Sequence, residues 1–300
     1  MDDRQKYIGA SEAAAVLGLS RWATPLEIWA LKTGQIQAKD ISEKIEVKLG
    51  NKLEQTVAEL FMEETGKKVH RVNETLYHAD YPFIGANLDR RVVGENAVLE
   101  CKTATAFKYK EWEGQDIPQE YLIQVLHQMA VGKFDKGYIA CLIGNHKFVW
   151  KEIAYDKKLI SDMIKKEVHF WNTFVKPVVM PSQVSANDSE VLFQLYHEVE
   201  PGSKIELGDD ADKIIESLDS LKADARVLEK EIDQQENTLK AMLKDSEIGT
   251  TNNHKITWKI QVSRRLSADQ LKQDLPEVYF KYSKPSESRV LRISELKEIK

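Results

Sequence analysis

Asp89, Glu100 and Lys102 are the residues of this chain whose types and spacing point to chemistry. They lie in Gly85-Ala86-Asn87-Leu88-Asp89 and Leu99-Glu100-Cys101-Lys102, joined by a segment that contains Gly94-Glu95. In a strand, residues two apart share a face, so Glu100 and Lys102 project together and Cys101 faces away. A two-residue turn at Gly94-Glu95, of the type that favours glycine in its first central position, sets Asp89 opposite Glu100. Shifting the turn by a residue sets Asp89 opposite Cys101 or Lys102 instead. Two carboxylates side by side in an apolar hairpin repel each other unless a cation lies between them. All-oxygen coordination of that kind suits a hard ion such as Mg²⁺ or Mn²⁺. Taken alone, the same spacing also describes a surface salt bridge between Glu100 and Lys102 on an exposed hairpin.

Two neighbouring helices strengthen the metal reading. Glu54 falls in the stripe of Val57, Ala58 and Phe61, which places a carboxylate at the edge of an inward face, where an acid needs a partner. Tyr121, Gln124 and Gln128 form a polar stripe on a helix whose other face carries Leu122, Val125 and Met129. His127 reads as structural rather than as a metal ligand. Near the start of the chain, Ser11 precedes Glu12-Ala13-Ala14-Ala15-Val16-Leu17-Gly18, a short helix for which Ser11 is a suitable N-cap.

The elements that must position these residues follow from caps, turns and periodicity. Thr24-Pro25-Leu26-Glu27 opens a second helix that runs to about Thr33-Gly34, and a third spans roughly Glu46 to Thr65. Strand-like runs lie around Val69 to His78, Phe83 to Val93, Ala97 to Thr103, Gly137 to Ile143 and Lys147 to Ile153. A helix opens at Asp116-Ile117-Pro118 and ends near Gly132, and another covers about Asp156 to Val175. This is an α/β pattern over residues 1–181, closed by Pro177 and Pro181. Residues 182–300 form a C-terminal extension. In it Ile214, Leu218, Leu221, Ala225, Leu228, Ile232, Leu239 and Met242 repeat at alternating four and three, with Gln235 at one seam position. The spacing predicts a long amphipathic helix over 209–245, pairing with a shorter one around Glu190 to Val199 or with a second copy. Lys255 to Val262 then alternates as a half-exposed strand before a basic tail.

Composition bounds the function. With 42% apolar and 30% charged residues among 300, the chain builds a sizeable core and is not disordered. Its net charge of -5 gives no global attraction for nucleic acid, so any such binding depends on local patches. No apolar stretch approaches the roughly 18 to 20 residues of a membrane span. The charged start, Met1 to Lys6, lacks the apolar core of a secretory signal, and Cys101 and Cys141 alone cannot form a disulfide framework. A reduced cytoplasmic location is expected, with no membrane partner.

Taken in order, Glu54 on a helix, Asp89, the Glu100-x-Lys102 strand and the Gln124 helix resemble the PD-(D/E)XK nuclease core, specifically the YqaJ-type viral recombinases related to phage lambda exonuclease. The usual Pro-Asp is here Leu88-Asp89, which keeps the acid. Ile8-Gly9-Ala10-Ser11-Glu12-Ala13-Ala14, with Arg4 seven residues before Ser11, resembles the family's segment that binds a DNA 5′-phosphate. The resemblance covers residues 1 to about 180 and implies a mixed central sheet flanked by helices; the C-terminal long helix and β extension are read from the periodicity above.

It further implies a Mg²⁺-dependent deoxyribonuclease, with Mn²⁺ an alternative ion, that hydrolyses linear duplex DNA from its ends, 5′ to 3′, and exposes 3′ single strands for recombination. Asp89, Glu100 and the Cys101 carbonyl would hold the metal, and Glu54 would complete the site directly or through water. Lys102 would orient or help deprotonate the nucleophile, Gln124 would place the water or the phosphate, and Arg4 and Ser11 would read the 5′-phosphate. Lys108, Lys110 and Trp112 are candidate backbone contacts; Trp22, Trp29, Trp112 and Trp171 otherwise read as core or interface aromatics. A single-strand annealing protein, a ring-shaped homotrimer and a phage or prophage origin in a bacterial host are implied by family alone. The alternatives are a structure- or site-specific endonuclease on the same core, or a non-catalytic DNA-end scaffold.

Overall fold

The computed structural model describes residues 3–295 and divides into two compact units, Met1–His197 and Glu198–Lys300. The first unit begins with β1 (Ile8–Gly9), α1 (Ala10–Val16), α2 (Pro25–Lys32) and α3 (Ile45–Thr65). Then come β2 (Val69–Arg71), β3 (Leu76–Tyr77), β4 (Ile84–Ala86), β5 (Arg90–Val92) and β6 (Ala97–Ala104). Next are α4 (Gln119–Gly132), β7 (Lys136–Ile143), β8 (Lys147–Ala154), α5 (Lys157–Phe170) and α6 (Ser189–Leu195). A π-helical turn, Trp171–Val175, continues α5. The second unit holds α7 (Asp209–Leu243), the hairpin β9 (Ile248–Thr250) with β10 (Lys255–Thr257), and the short helices α8 (Ala268–Asp274) and α9 (Pro276–Tyr282).

The central sheet has the order β2-β5-β6-β7-β8, and only the β6–β7 pair in it is parallel. This is the mixed sheet flanked by helices that the sequence implies. Alternation along β6 and β7 builds two cores. Val98 and, on β7, Ile139, Cys141 and Ile143 pack under α4 with Val125, Leu126 and Met129. Ala97, Leu99, Tyr138 and Ala140 pack under α3 with Val57 and Phe61. A Cβ at Gly137 would lie 2.3 Å from Val125 Cγ1, so this glycine lets α4 approach the sheet closely.

Two expectations need correcting. The runs Val69 to His78 and Phe83 to Val93 are each split between two sheets, because β4 lies between β1 and β3 in a separate three-stranded sheet while β2 and β5 join the central one. The helix expected near residue 190 is present. It is α6, which packs against α2: Thr24 Oγ1 donates to buried Asp188, and Val191 is buried beside Leu26 and Trp29. The first compact unit runs through His197 and so includes α6. Within the second unit, the strand expected over Lys255 to Val262 is paired only over Lys255–Thr257, since its partner β9 is three residues long; Ile260 and Val262 are exposed. The long helix is present, and Ile214, Leu221, Leu228, Ile232 and Met242 on it are exposed.

Below α4 lies a fully buried ion pair. His127 Nδ1 is 2.9 Å from Glu167 Oε1 of α5, and its Nε2 is 2.9 Å from the Gly85 carbonyl. Burial alone would lower the His127 pKa, but the Glu167 carboxylate outweighs it and raises the value above 6.5. A raised value stabilises the fold fully below the unfolded pKa and progressively less as pH climbs through the folded one. His127→Ala, which leaves Glu167 buried and unpaired, is expected to lower the unfolding free energy by about 3–5 kcal/mol in urea titrations near neutral pH. The gap to the wild type should narrow as pH rises above about 6.5, the ordinary imidazole value; a constant gap would contradict the pairing.

Candidate active site

The pairs Arg90↔Leu99 and Arg91↔Val98 set the hairpin register. Continued by one residue, they bring Asp89 opposite Glu100, as a turn at Gly94-Glu95 requires, and Gly94 has the positive φ of 82° that favours glycine there. Val98 faces α4, so the period of two sends Glu100 and Lys102 to that face as well, directly under the polar stripe of α4.

There the charged groups form one network. Lys102 Nζ lies 2.7 Å from Glu100 Oε1 and donates to Gln124 Oε1 at 3.0 Å. The Gln124 amide donates in turn to Glu100 Oε1 at 2.6 Å. Gln128 Nε2 donates to Glu100 Oε2 at 2.7 Å and to the Asn87 carbonyl at 3.2 Å. Asp89 Oδ2 accepts from the Cys101 N–H at 2.8 Å. Lys102 also lies 5.0 Å above the Tyr121 ring.

Electrostatics separates the roles of these groups. Burial, then repulsion from Glu100, pushes the Asp89 carboxyl up to about 7. A cation between the two acids would relieve that cost. Burial opposes the charge on Lys102, but Glu100 beside it more than compensates and its pKa is raised, so the side chain is an ammonium at neutral pH. In that state it donates hydrogen bonds and positive charge.

Asp89, Glu100 and Gln124 line a cavity of about 150 Å³ together with Arg4, Ser11, Tyr7, Glu12 and Lys32. The structure thus brings the two acids into the same cavity as the two residues expected to read a phosphate. Ser11 is not the helix cap, however. α1 starts at Ala10 with Gly9 as its N-cap, and Gly9 N–H is bonded to Glu12 Oε2 at 2.7 Å, which leaves Ser11 exposed in the first turn.

Glu54 is placed differently. α3 packs on the Leu99 face of the sheet, opposite to Glu100, and Arg90 shares that face. Arg90 Nη1 donates to Glu54 Oε1 at 2.5 Å and to the Asp89 carbonyl at 2.7 Å, and Nη2 donates to Gln55 at 3.0 Å. Among the described residues, no group of three His, Cys, Asp or Glu side chains gathers as a metal site. Two carboxylates and a main-chain carbonyl still fit a hard divalent ion, which retains several waters when bound through one or two acids.

Sequence reading missed part of this arrangement. Gln128, read as a core polar group, holds the second oxygen of Glu100; its four-residue spacing from Gln124 was the available signal. The Arg90 clamp and the buried Lys32 had none, since each pairs across the fold. Trp22, expected in a core or interface, is 60% exposed, while Trp112 is buried. Of the expected backbone contacts, Lys108 is held by Glu111 at 2.6 Å.

Comparison with known proteins follows the same residues. Residues 1–135, which contain every side chain just described from Arg4 to Gln128, match the model of the YqaJ-like viral recombinase domain. The chain is 39% identical over 297 residues to the uncharacterized protein YqaJ of Bacillus subtilis (strain 168), covering 98% of this chain and 93% of that one. Among solved structures, it is similar to an alkaline exonuclease from Laribacter hongkongensis, with a TM-score of 0.49, 19% identity, and coverage of 57% of this chain and 88% of the other. A phage related exonuclease from Haemophilus somnus 129PT gives a TM-score of 0.44 at 13% identity, covering 58% and 95%.

The raised Asp89 carboxyl makes this site a local burden on the metal-free fold. Stability attached to a raised carboxyl is lost as pH rises from its unfolded value of 3.8 through about 7. Asp89→Asn keeps an acceptor for Cys101 N–H and removes the repulsion. It is therefore expected to stabilise the metal-free protein by roughly 2–4 kcal/mol at mildly alkaline pH, read as a higher melting midpoint. A destabilised Asp89→Asn protein would contradict the electrostatic picture.

Proposed function

Because the chain belongs to the YqaJ-like viral recombinase family, we propose that it is a metal-dependent deoxyribonuclease that degrades linear duplex DNA from its ends. The observation that carries this reading is the sharing of one cavity by Asp89, Glu100 and Gln124 with Arg4 and Ser11. An endonuclease needs the acids but has no use for a terminal-phosphate pocket beside them, and a passive end-binding protein has no use for two repelling acids near phosphates.

Asp89 and Glu100, with the Cys101 carbonyl, hold a Mg²⁺ or Mn²⁺ ion. When bound, such an ion supplies Lewis acidity to the scissile phosphate and lowers the pKa of a coordinated water. Glu54, tied to Arg90, acts on this site only through water or through the Asp89 main chain that Arg90 also grips. Gln128 and Gln124 fix the two oxygens of Glu100, so its rotamer is set before substrate arrives. Lys102 offsets charge accumulating on the phosphate and orients the attacking water. Arg4 and Ser11 receive the phosphate at the 5′ end, which places the first phosphodiester near the acids and gives 5′ to 3′ polarity. A positive channel local to the site, or a ring of copies, accommodates DNA despite the net charge of -5. The exposed 3′ strand is the substrate class of a single-strand annealing partner.

Duplexes labelled separately at the 5′ and 3′ ends test this. With Mg²⁺, mononucleotides should leave from the 5′ end, covalently closed circles should remain intact, and chelation should stop the reaction. Lys102→Met and Glu100→Gln should each lower the rate by about 10²–10⁴-fold while keeping the fold. Cleavage of the closed circle, or full activity in Glu100→Gln, would falsify the assignment.

A further inference from the structure

In the wall of the active-site cavity, Lys32 is 5% exposed and bridges two elements. Its ammonium lies 2.6 Å and 2.8 Å from the two oxygens of Glu12 and donates to the Arg4 carbonyl at 2.5 Å. Glu12 is fixed in turn by the Gly9 N–H. Behind them is a second cavity, lined by Gln5, Leu31, Gly34, Ile36, Gln37 and Ala38. Arg4, Glu12 and Lys32 line both cavities, so this pair and the Arg4 segment form the partition between them.

Lys32 already donates to Glu12 and to a main-chain carbonyl, so the partition is electrically balanced and its position is fixed on both sides. A strand that enters past Asp89 and Glu100 meets Arg4 and Ser11 and then this partition. A terminal phosphate fits in front of it. A strand that continues beyond that phosphate has to part an ion pair whose ammonium is buried and whose carboxylate is half-buried, which leaves a charge uncompensated and is unfavourable.

We propose that the Lys32–Glu12 pair is an end-stop, a specificity-determining partition that admits a terminal 5′-phosphate and rejects a 5′ strand that runs on as an unpaired tail. The proposal rests on the reading of the cavity as a 5′-end site. Lys32 and Glu12 are positioning residues: they touch no reacting atom, and they hold Arg4 in front of the second cavity.

The test compares three duplexes: flush with a 5′-phosphate, flush with a 5′-hydroxyl, and carrying a noncomplementary 5′ tail. The wild type should digest the phosphorylated flush end about tenfold or more faster than the tailed one. Glu12→Gln combined with Lys32→Ala removes both charges and opens the partition while leaving an acceptor for Gly9 N–H. This variant should bring the tailed and flush rates to within about twofold, whereas a merely structural role would slow both substrates alike. Lys32→Arg, which preserves the ion pair, should keep the wild-type preference. Equal wild-type rates on tailed and flush ends overturn the end-stop even if the double variant does not fold, and so does an unchanged preference in a folded double variant. A wild type indifferent to the 5′-phosphate, with Arg4→Ala likewise without effect, would instead remove the 5′-end reading itself; dependence on the phosphate together with acceptance of tails removes the end-stop alone.

Discussion

Repulsion between Asp89 and Glu100 is the constraint around which the first unit is organised. Burial and then the neighbouring Glu100 push the Asp89 carboxyl up to about 7, so a hairpin that sets two carboxylates on one buried face carries an unfavourable electrostatic energy. Glu100 has an ammonium and two amides gathered around it, from Lys102, Gln124 and Gln128. Asp89 has one backbone N–H. The imbalance leaves the site short of positive charge, which a divalent ion would supply. Fold and function pull against each other here, as is common where acids are held ready for catalysis.

What holds this arrangement is α4 and the layer below it. Gln124 and Gln128 reach Glu100 only because α4 lies close on β7, and the glycine at position 137 leaves the room. His127, one residue before Gln128, anchors the helix to Glu167 and to the Gly85 carbonyl. That carbonyl belongs to β4, whose end leads through Asn87 to Asp89. The buried His127 ring thus connects, through its Nε2 bond to Gly85, the helix that positions Glu100 with the segment that positions Asp89. Arg90 does the same from the opposite face of the sheet, binding α3 to the Asp89 main chain.

The site was legible in the sequence where its order is local. The period of two put Glu100 and Lys102 together, the Gly94-Glu95 turn set the register, and the four-residue spacing on α4 aligned Gln124 with Gln128. It was not legible where partners come from distant segments. Glu54 belongs to an inward stripe, as expected, but the stripe packs on the Leu99 face, and a helical period cannot say which side of a sheet receives it. The Lys32–Glu12 pair joins α1 to α2 across a cavity no local pattern encodes. Short strands were harder still: β3 and β4 read as continuations of β2 and β5, because sequence alternation does not show that a chain has changed sheets. In the second unit the heptad-like spacing gave the helix, while the strand after β9 ended early for want of a longer partner.

The central claim is that Asp89 and Glu100 together hold a hard divalent cation. Calorimetric titration of Mn²⁺ into the protein without DNA, repeated near neutral pH in two buffers of different ionisation enthalpy, measures it most directly. Binding should release protons as the raised Asp89 carboxyl ionises, and both the binding and the release should be lost in Asp89→Asn and weakened at least about tenfold in Glu100→Gln. Binding of equal strength in wild type and both variants, or binding without proton release, would contradict the account.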